Sequence, residues 1–247
     1  MNKKVALVTG SSRGIGKGIA KILVENDYIV YINGRNIKDL ESTAKELNNK
    51  VKIIELDLSN DLNVENCIKN ILKEEGKIDL VVSNIGSGKS IPGWDVNIIE
   101  YKRVFDINFF NAVSLANHSV EAMKNSGGHI VFIASIAGCE TLGAPITYSS
   151  AKTALLSYAK NLSKDVAKLN IRINSISPGN VIFEGSTWDD KIKKDRKSVE
   201  TYIQNNVPLN TFATPEDIAK TVIFLEESNF ITGSNIIVDG GQLNKII

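Results

Sequence analysis

The stretch Val5-Ala6-Leu7-Val8-Thr9-Gly10-Ser11-Ser12-Arg13-Gly14-Ile15-Gly16 decides how the rest of the chain is read. A short apolar run gives a buried strand, Val5–Thr9, and a helical pattern from Ile15 to Glu25 follows the glycines. Glycine permits a tight turn and lets backbone N–H groups come close to a ligand. The N-terminus of the next helix adds partial positive charge. Strand, glycine turn and helix in that order make a cradle for a pyrophosphate. A glycine-rich string alone is weak evidence; its place between the first strand and the first helix gives it weight.

Outward from this turn the same alternation continues. Ile29–Asn33, Lys52–Leu56, Ile78–Val82, His129–Ala134, Ile171–Ile176 and Asn235–Val238 read as further strands, several apolar on both faces. Helix-length patterns lie between them: Lys38–Leu47, Leu62–Glu75, Ile98–Lys124, Thr147–Lys168 and Glu216–Glu226. The last follows Thr214-Pro215-Glu216-Asp217, an N-cap with proline and acids in the first turn. The expected fold is α/β: a doubly wound, parallel, seven-stranded Rossmann-type sheet flanked by helices, with right-handed crossovers. No repeat or linker divides the chain, so a single domain over 1–247 is expected. A helical pattern at Asp189–Asn205, between glycine and proline punctuation, marks about 180–209 as a substrate lid.

Composition narrows the function. With 43% hydrophobic and 23% charged residues over 247, the chain has the makeup of an ordinary globular protein. A net charge of +1 gives no field to gather nucleic acid or an anionic membrane, so neither is an expected partner. Two cysteines, Cys67 and Cys139, are too few for a disulfide scaffold and suit a reducing compartment. Met1-Asn2-Lys3-Lys4 leads into an apolar stretch too short for a signal segment, and no run of about 18 apolar residues occurs. A soluble, cytoplasmic protein is expected.

The second strand ends Tyr31-Ile32-Asn33-Gly34-Arg35-Asn36, without the carboxylate that commonly holds an adenosine ribose. Arg35 stands beside that position and Arg13 lies in the glycine turn. Guanidinium groups clamp a 2′-phosphate that a carboxylate would repel, which favours NADP(H) over NAD(H). Asp57, after the third strand, reads either as an adenine contact or as a cap of the next helix.

Tyr148 and Lys152 are one helical turn apart and share a face. An ammonium beside a phenol is expected to lower the phenol's pKa and fit it for proton exchange. The spacing alone proves little; its surroundings give it weight. Ser135 closes the fifth strand, at the carboxyl edge where doubly wound sheets bind ligands. The glycine turn, Ser83-Asn84-Ile85-Gly86 and Pro178-Gly179 fall on the same edge.

This set resembles the short-chain dehydrogenase/reductase family, and the resemblance runs from Val5 to Gly241. Gly10, Gly14 and Gly16 match its cofactor signature. Ser83 to Gly86 match its Asn-Asn-Ala-Gly motif, with Ser83 and Ile85 as departures, and Val238 to Gly241 match its terminal motif. The resemblance implies catalysis by Asn108, Ser135, Tyr148 and Lys152. Tyr148 would exchange the proton, Lys152 would favour the phenolate and bind the nicotinamide ribose, Ser135 would fix the substrate oxygen, and Asn108 would hold a relay water. It implies cofactor contacts at Gly10, Ser12, Arg13, Gly14, Ile15, Gly16, Arg35, Asp57, Leu58, Asn84, Gly86, Tyr148, Lys152, Pro178 and Gly179, with Thr9 and Ile182 as neighbours. The chain looks most like 3-oxoacyl-(acyl-carrier-protein) reductases and gluconate 5-dehydrogenases. Substrates in view are therefore a 3-oxoacyl thioester, a sugar or polyol, or a small ketone. A homotetramer built through Ile98–Lys124 and Thr147–Lys168 is implied as well.

Other residues receive plainer readings. His118 and His129 lack a metal-ligand pattern, so no metal is expected. Cys139 reads as a small buried hydrophobe, with a place on the substrate pocket as the alternative. Lys191-Ile192-Lys193-Lys194-Asp195-Arg196-Lys197 reads as a solvated helix face, or as a contact for an anionic carrier. Trp94 and Trp188 are expected in loops flanking the pocket. Two rival functions remain. A catalytically silent dinucleotide-binding regulator would need no Tyr148, Ser135 and Lys152 together. A sugar-nucleotide epimerase or dehydratase would need a larger C-terminal domain and other glycine spacing.

Overall fold

Val5–Val8 forms β1, buried along its whole length. Strand side chains alternate between faces, and β1 divides accordingly. Val5 and Leu7 enter one core, while Ala6 and Val8 enter the other. The computed structural model describes residues 3–244. Met1 and Asn2 of the quoted N-terminus, and positions 245–247 of the expected domain, lie outside the described residues.

The remaining strands are β2 (Ile29–Gly34), β3 (Val51–Glu55), β4 (Leu80–Ser83), β5 (Gly128–Ile133), β6 (Ile171–Pro178) and β7 (Asn235–Val238). All pair in parallel in the order β3-β2-β1-β4-β5-β6-β7, the doubly wound sheet expected. The sheet order reverses between β1 and β4, which opens a crevice at their carboxyl ends. The helices are α1 (Gly14–Glu25), α2 (Ile37–Glu46), α3 (Asp61–Glu75), α4 (Ile98–Phe105), α5 (Asn111–Met123), α6 (Ile146–Val166), α7 (Thr187–Asn206) and α8 (Pro215–Glu227).

One core joins the sheet to α3, α5 and α6, and the other joins it to α1, α2 and α8. Gly18 lets α1 approach α8 closely, since a Cβ there would lie 2.6 Å from Pro215 Cβ. The expected capping of α8 is present as a full box between Thr214 and Asp217. The helix expected over Ile98–Lys124 is broken instead. Asp106–Phe110 forms a π-helical turn between α4 and α5. That extra residue aims the buried side chain of Asn108 inward, at the loop following β4.

Candidate active site

The carboxyl ends of β1 and β4 are stitched together by side chains. The Thr9 hydroxyl donates to the Val82 carbonyl (3.2 Å) and accepts the Asn84 N–H (3.0 Å). The Asn84 amide donates to the carbonyls of Thr9 (3.1 Å) and Gly10 (3.0 Å). Its hydrogens thus hold the glycine turn. Gly16 is forced by packing: a Cβ would fall 2.5 Å from the Gly10 carbonyl oxygen. Gly14 has φ +56°, and its missing Cβ makes room for the ring of Phe183.

A groove of about 650 Å³ runs across these strand ends. Gly10, Ser12, Arg13 and Ile15 form one end of its wall, and Arg35, Asp57 and Leu58 another. Asn84, Gly86, Ser135, Tyr148, Lys152, Pro178 and Gly179 line the rest. Gly14 and Gly16 do not line it; they shape the turn from behind, because the contacts they permit face Phe183 and Gly10. Thr9 is fully buried beneath the turn. Ile182 is also off the groove, whereas Val181 and Phe183 line it. Val181 bridges to Ala213 in an extended segment, so alternate side chains turn away.

Arg35 Nη1 lies 4.0 Å from Asp57 Oδ2. Asp57 does not cap α3; Asn60 does, accepting the N–H of Leu62 at 2.9 Å. Asp57 accepts the Ser59 N–H at 3.0 Å, and this bond, with Arg35 nearby, holds its carboxyl below the usual range. Two groove-lining asparagines were not legible from spacing. Among the described residues, Asn33 Oδ1 and Asn111 Oδ1 are buried acceptors that find no hydrogen-bond partner. Their amide hydrogens are used on strand and loop carbonyls, Asn111 on that of Leu58. A glycine cradle, two guanidinium groups and orphaned acceptors along the wall fit a dinucleotide.

Lys152 is 3% exposed. Its Nζ donates to the Ile133 carbonyl at 2.9 Å and stands 5.9 Å from the Tyr148 ring centroid. Burial lowers its pKa to about 8. The expected lowering of the Tyr148 pKa is corrected by the structure: burial raises it, against an opposing hydrogen bond with Ser135. The reason is geometric, since the amine is aimed at Ile133. The Ser135 hydroxyl is fixed by the Ala137 N–H at 3.1 Å. Asn108 clamps the loop after β4, donating to the Ser87 and Val104 carbonyls and accepting the Ser87 N–H at 2.9 Å. Gly86 lets these groups converge, for a Cβ there would meet Asn108 Oδ1 at 2.9 Å and Lys152 Nζ at 3.2 Å.

A second cavity, of about 720 Å³, adjoins the groove. Ser135 and Tyr148 line both, as do Gly179 and Trp188. The phenol therefore stands at the boundary between a dinucleotide-shaped groove and a substrate-sized space. Leu142, Ala144 and Pro145 wall the second cavity on one side, and α7 walls it on the other. Trp188 belongs to α7 rather than to a loop, because Ser186 caps that helix by accepting the Asp189 N–H. Trp94 is 87% exposed and lines neither cavity. Cys139 is off both as well, accepting a hydrogen bond from Asn235 at 3.4 Å.

His118 meets Asp61 at 3.1 Å, and buried His129 lies between Glu226 and Asn174. Among the described residues no group of three or more His, Cys, Asp or Glu is placed to hold a metal ion. No helix there is long and apolar enough to cross a membrane.

The enoyl-(acyl carrier protein) reductase family model matches residues 10–242 of the chain. The chain belongs to the short-chain dehydrogenase/reductase family. The matched span takes in the glycine turn, the Ser135–Tyr148–Lys152 group and α7, so the family likeness covers both cavities. Among curated members, the 3-oxoacyl-[acyl-carrier-protein] reductase FabG of Chlamydia muridarum is 34% identical over 246 residues, 97% of each chain. The solved L-sorbose reductase of Gluconobacter frateurii, complexed with NADPH and L-sorbose, superposes with a TM-score of 0.92. It is 28% identical, with 99% of this chain and 98% of that one covered. A 7α-hydroxysteroid dehydrogenase complexed with NADH gives 0.88 at 25% identity, covering 98% and 95%. The protein is thus a short-chain dehydrogenase/reductase that acts on carbonyl or alcohol groups with a nicotinamide dinucleotide.

Proposed function

We propose that the protein interconverts a ketone and a secondary alcohol with NADP(H), using Tyr148 as acid and base. The observation that carries this is the position of Tyr148 and Ser135, shared by the groove and the second cavity, with Lys152 buried behind them. A bound nicotinamide dinucleotide supplies the hydride in reduction and takes it up in oxidation. The Ser135 hydroxyl and the Tyr148 phenol both donate to a carbonyl oxygen entering from the second cavity. As negative charge grows on that oxygen, Tyr148 gives up its proton and Ser135 stabilises what remains. Lys152 offsets the phenolate left behind. Its pKa of about 8 suits it to pass a proton forward near neutral pH. Asn108 Oδ1, on the same side of Gly86 as the amine, is an acceptor for a relay water.

The preference for NADP(H) rests on Arg13 and Arg35, both lining the groove, and on the missing carboxylate after β2. The NADPH complex of the L-sorbose reductase supports it, while the NADH complex of the steroid dehydrogenase shows that relatives differ. The lid reading of 180–209 is supported by α7 walling the second cavity. Exposed Ile98, Ile99 and Phe110 on α4 and the turn that follows support assembly as a homotetramer, which we place in the cytoplasm.

The test follows NADPH absorbance with a panel of ketones. Tyr148→Phe is expected to lower kcat by about 10²- to 10⁴-fold, the usual worth of a general acid, while NADPH binding persists. A variant with wild-type kcat would remove Tyr148 from the chemistry. Wild-type protein that binds NADPH and reduces nothing would favour the silent regulator instead.

A further inference from the structure

The basic run on α7 is divided by the structure. Lys193 pairs with Asp189 at 2.7 Å and Arg196 with Glu200 at 3.7 Å, each one turn apart on the helix. Lys191 and Lys194 instead line the second cavity, and among the described residues neither makes an ion pair. Lys191 is not on a free stem. Its Nζ stands 4.3 Å from the Trp188 ring centroid, and Trp188 packs against Tyr202 at 5.0 Å and Phe212 at 5.5 Å. The Tyr202 hydroxyl accepts from Gln242 at 3.1 Å, and Gln242 accepts from Asn180 at 2.8 Å. The ammonium thus rests on packed groups that reach the loop after β6.

The third charged group on this wall is Asp195, and its carboxylate is engaged. Asp195 leaves helical geometry (φ −155°, ψ 87°) and accepts the Ser198 N–H at 3.0 Å, capping the second half of α7. Facing it are the apolar Leu142, Ala144 and Pro145. The cavity therefore has a polar inner end at Ser135 and Tyr148, an apolar side, and a side where two lysines outnumber one carboxylate, which is held by the Ser198 N–H.

We propose that the substrate carries a negatively charged group, a carboxylate or a phosphate, which Lys191 and Lys194 hold while its carbonyl meets Ser135 and Tyr148. This rests on the reading of the second cavity as the substrate site. A space of about 720 Å³ suits a small molecule whole. The two ammonium groups act as specificity determinants, taking no part in the proton transfer.

The test compares matched pairs of ketones with NADPH: acetoacetate against its methyl ester, and dihydroxyacetone phosphate against dihydroxyacetone. The anionic member of at least one pair is expected to have about tenfold higher kcat/KM, the scale of two partly exposed ion pairs. The pair that shows it names carboxylate or phosphate. Lys191→Gln with Lys194→Gln should erase that ratio, and Lys193→Gln with Lys197→Gln, off the cavity, should keep it. Binding is read separately by Trp188 fluorescence in a Trp94→Phe background, which leaves Trp188 the sole tryptophan. Turnover without charge preference overturns the anion site and leaves the oxidoreductase reading intact. Saturable quenching by an anion, lost with the two lysines but without turnover of any ketone, upholds the anion site and removes the catalytic reading. The absence of both quenching and charge preference overturns the inference.

Discussion

Replacing Lys152 with methionine separates the energetic effect of its burial from everything else in the site. The amine is 3% exposed, with one hydrogen bond to the Ile133 carbonyl, and its pKa falls from 10.5 to about 8. Below pH 8 both folded and unfolded chains carry this proton, and the folded chain bears the cost of a desolvated charge. Between pH 8 and 10.5 the unfolded chain still binds the proton that the folded chain has lost, so stability rises with pH. Each pH unit in that window is worth 1.36 kcal/mol, which gives about 2.5 kcal/mol by pH 10. The methionine variant lacks this gain but shares every other titrating group, and its lost hydrogen bond is a constant offset. Urea unfolding of both proteins at pH 7 and pH 10, without dinucleotide, isolates the difference. The wild type should gain about 2.5 kcal/mol on the variant, close to 1 M in midpoint for a chain of this size. A gap that stays constant within about 0.5 kcal/mol would mean the amine keeps its ordinary pKa, and the proton-shuttle role drawn from it would fall.

Two further outcomes follow from charged groups elsewhere. Arg35→Asp should lower the NADP-over-NAD ratio of kcat/KM by about 10- to 100-fold, the worth of a charge-assisted hydrogen bond to phosphate; an unchanged ratio removes Arg35 from the site. Glu226, 5% exposed, is pushed up by burial. Hydrogen bonds with His129, Tyr28 and Lys4, together with the charge of His129, outweigh this and hold its pKa at about 2. Its stabilisation is present above pH 4.5 and lost as pH falls through 2, so Glu226→Gln should cost about 3 kcal/mol at pH 7. That gap should close between pH 4.5 and 2, and calorimetry that finds it constant would refute the assignment.

What was legible in the sequence is what periodicity encodes. The apolar strand Val5–Val8 before a glycine turn fixed the first βα unit, and the turn-long spacing of Tyr148 and Lys152 placed them on one face of α6. The π turn at Asp106–Phe110 was not legible, because the apolar pattern of the long helix continues across the inserted residue. Nor could the basic run show which lysines meet the cavity, since helical spacing puts Lys191 and Lys194 on one face without saying what that face covers. Proton chemistry was the least legible, for a deeper reason. Sequence spacing says which charge is near the phenol but not how much water either group has lost. Burial moves the two pKa values in opposite directions, Tyr148 up and Lys152 down. Near pH 7 the free site therefore holds both protons. On the proposed assignment a protonated phenol is the state that would donate to a carbonyl oxygen, so the resting protein would suit reduction. On the same assignment oxidation would first require the phenolic proton to leave, with Lys152 as the acceptor once it loses its own proton near pH 8.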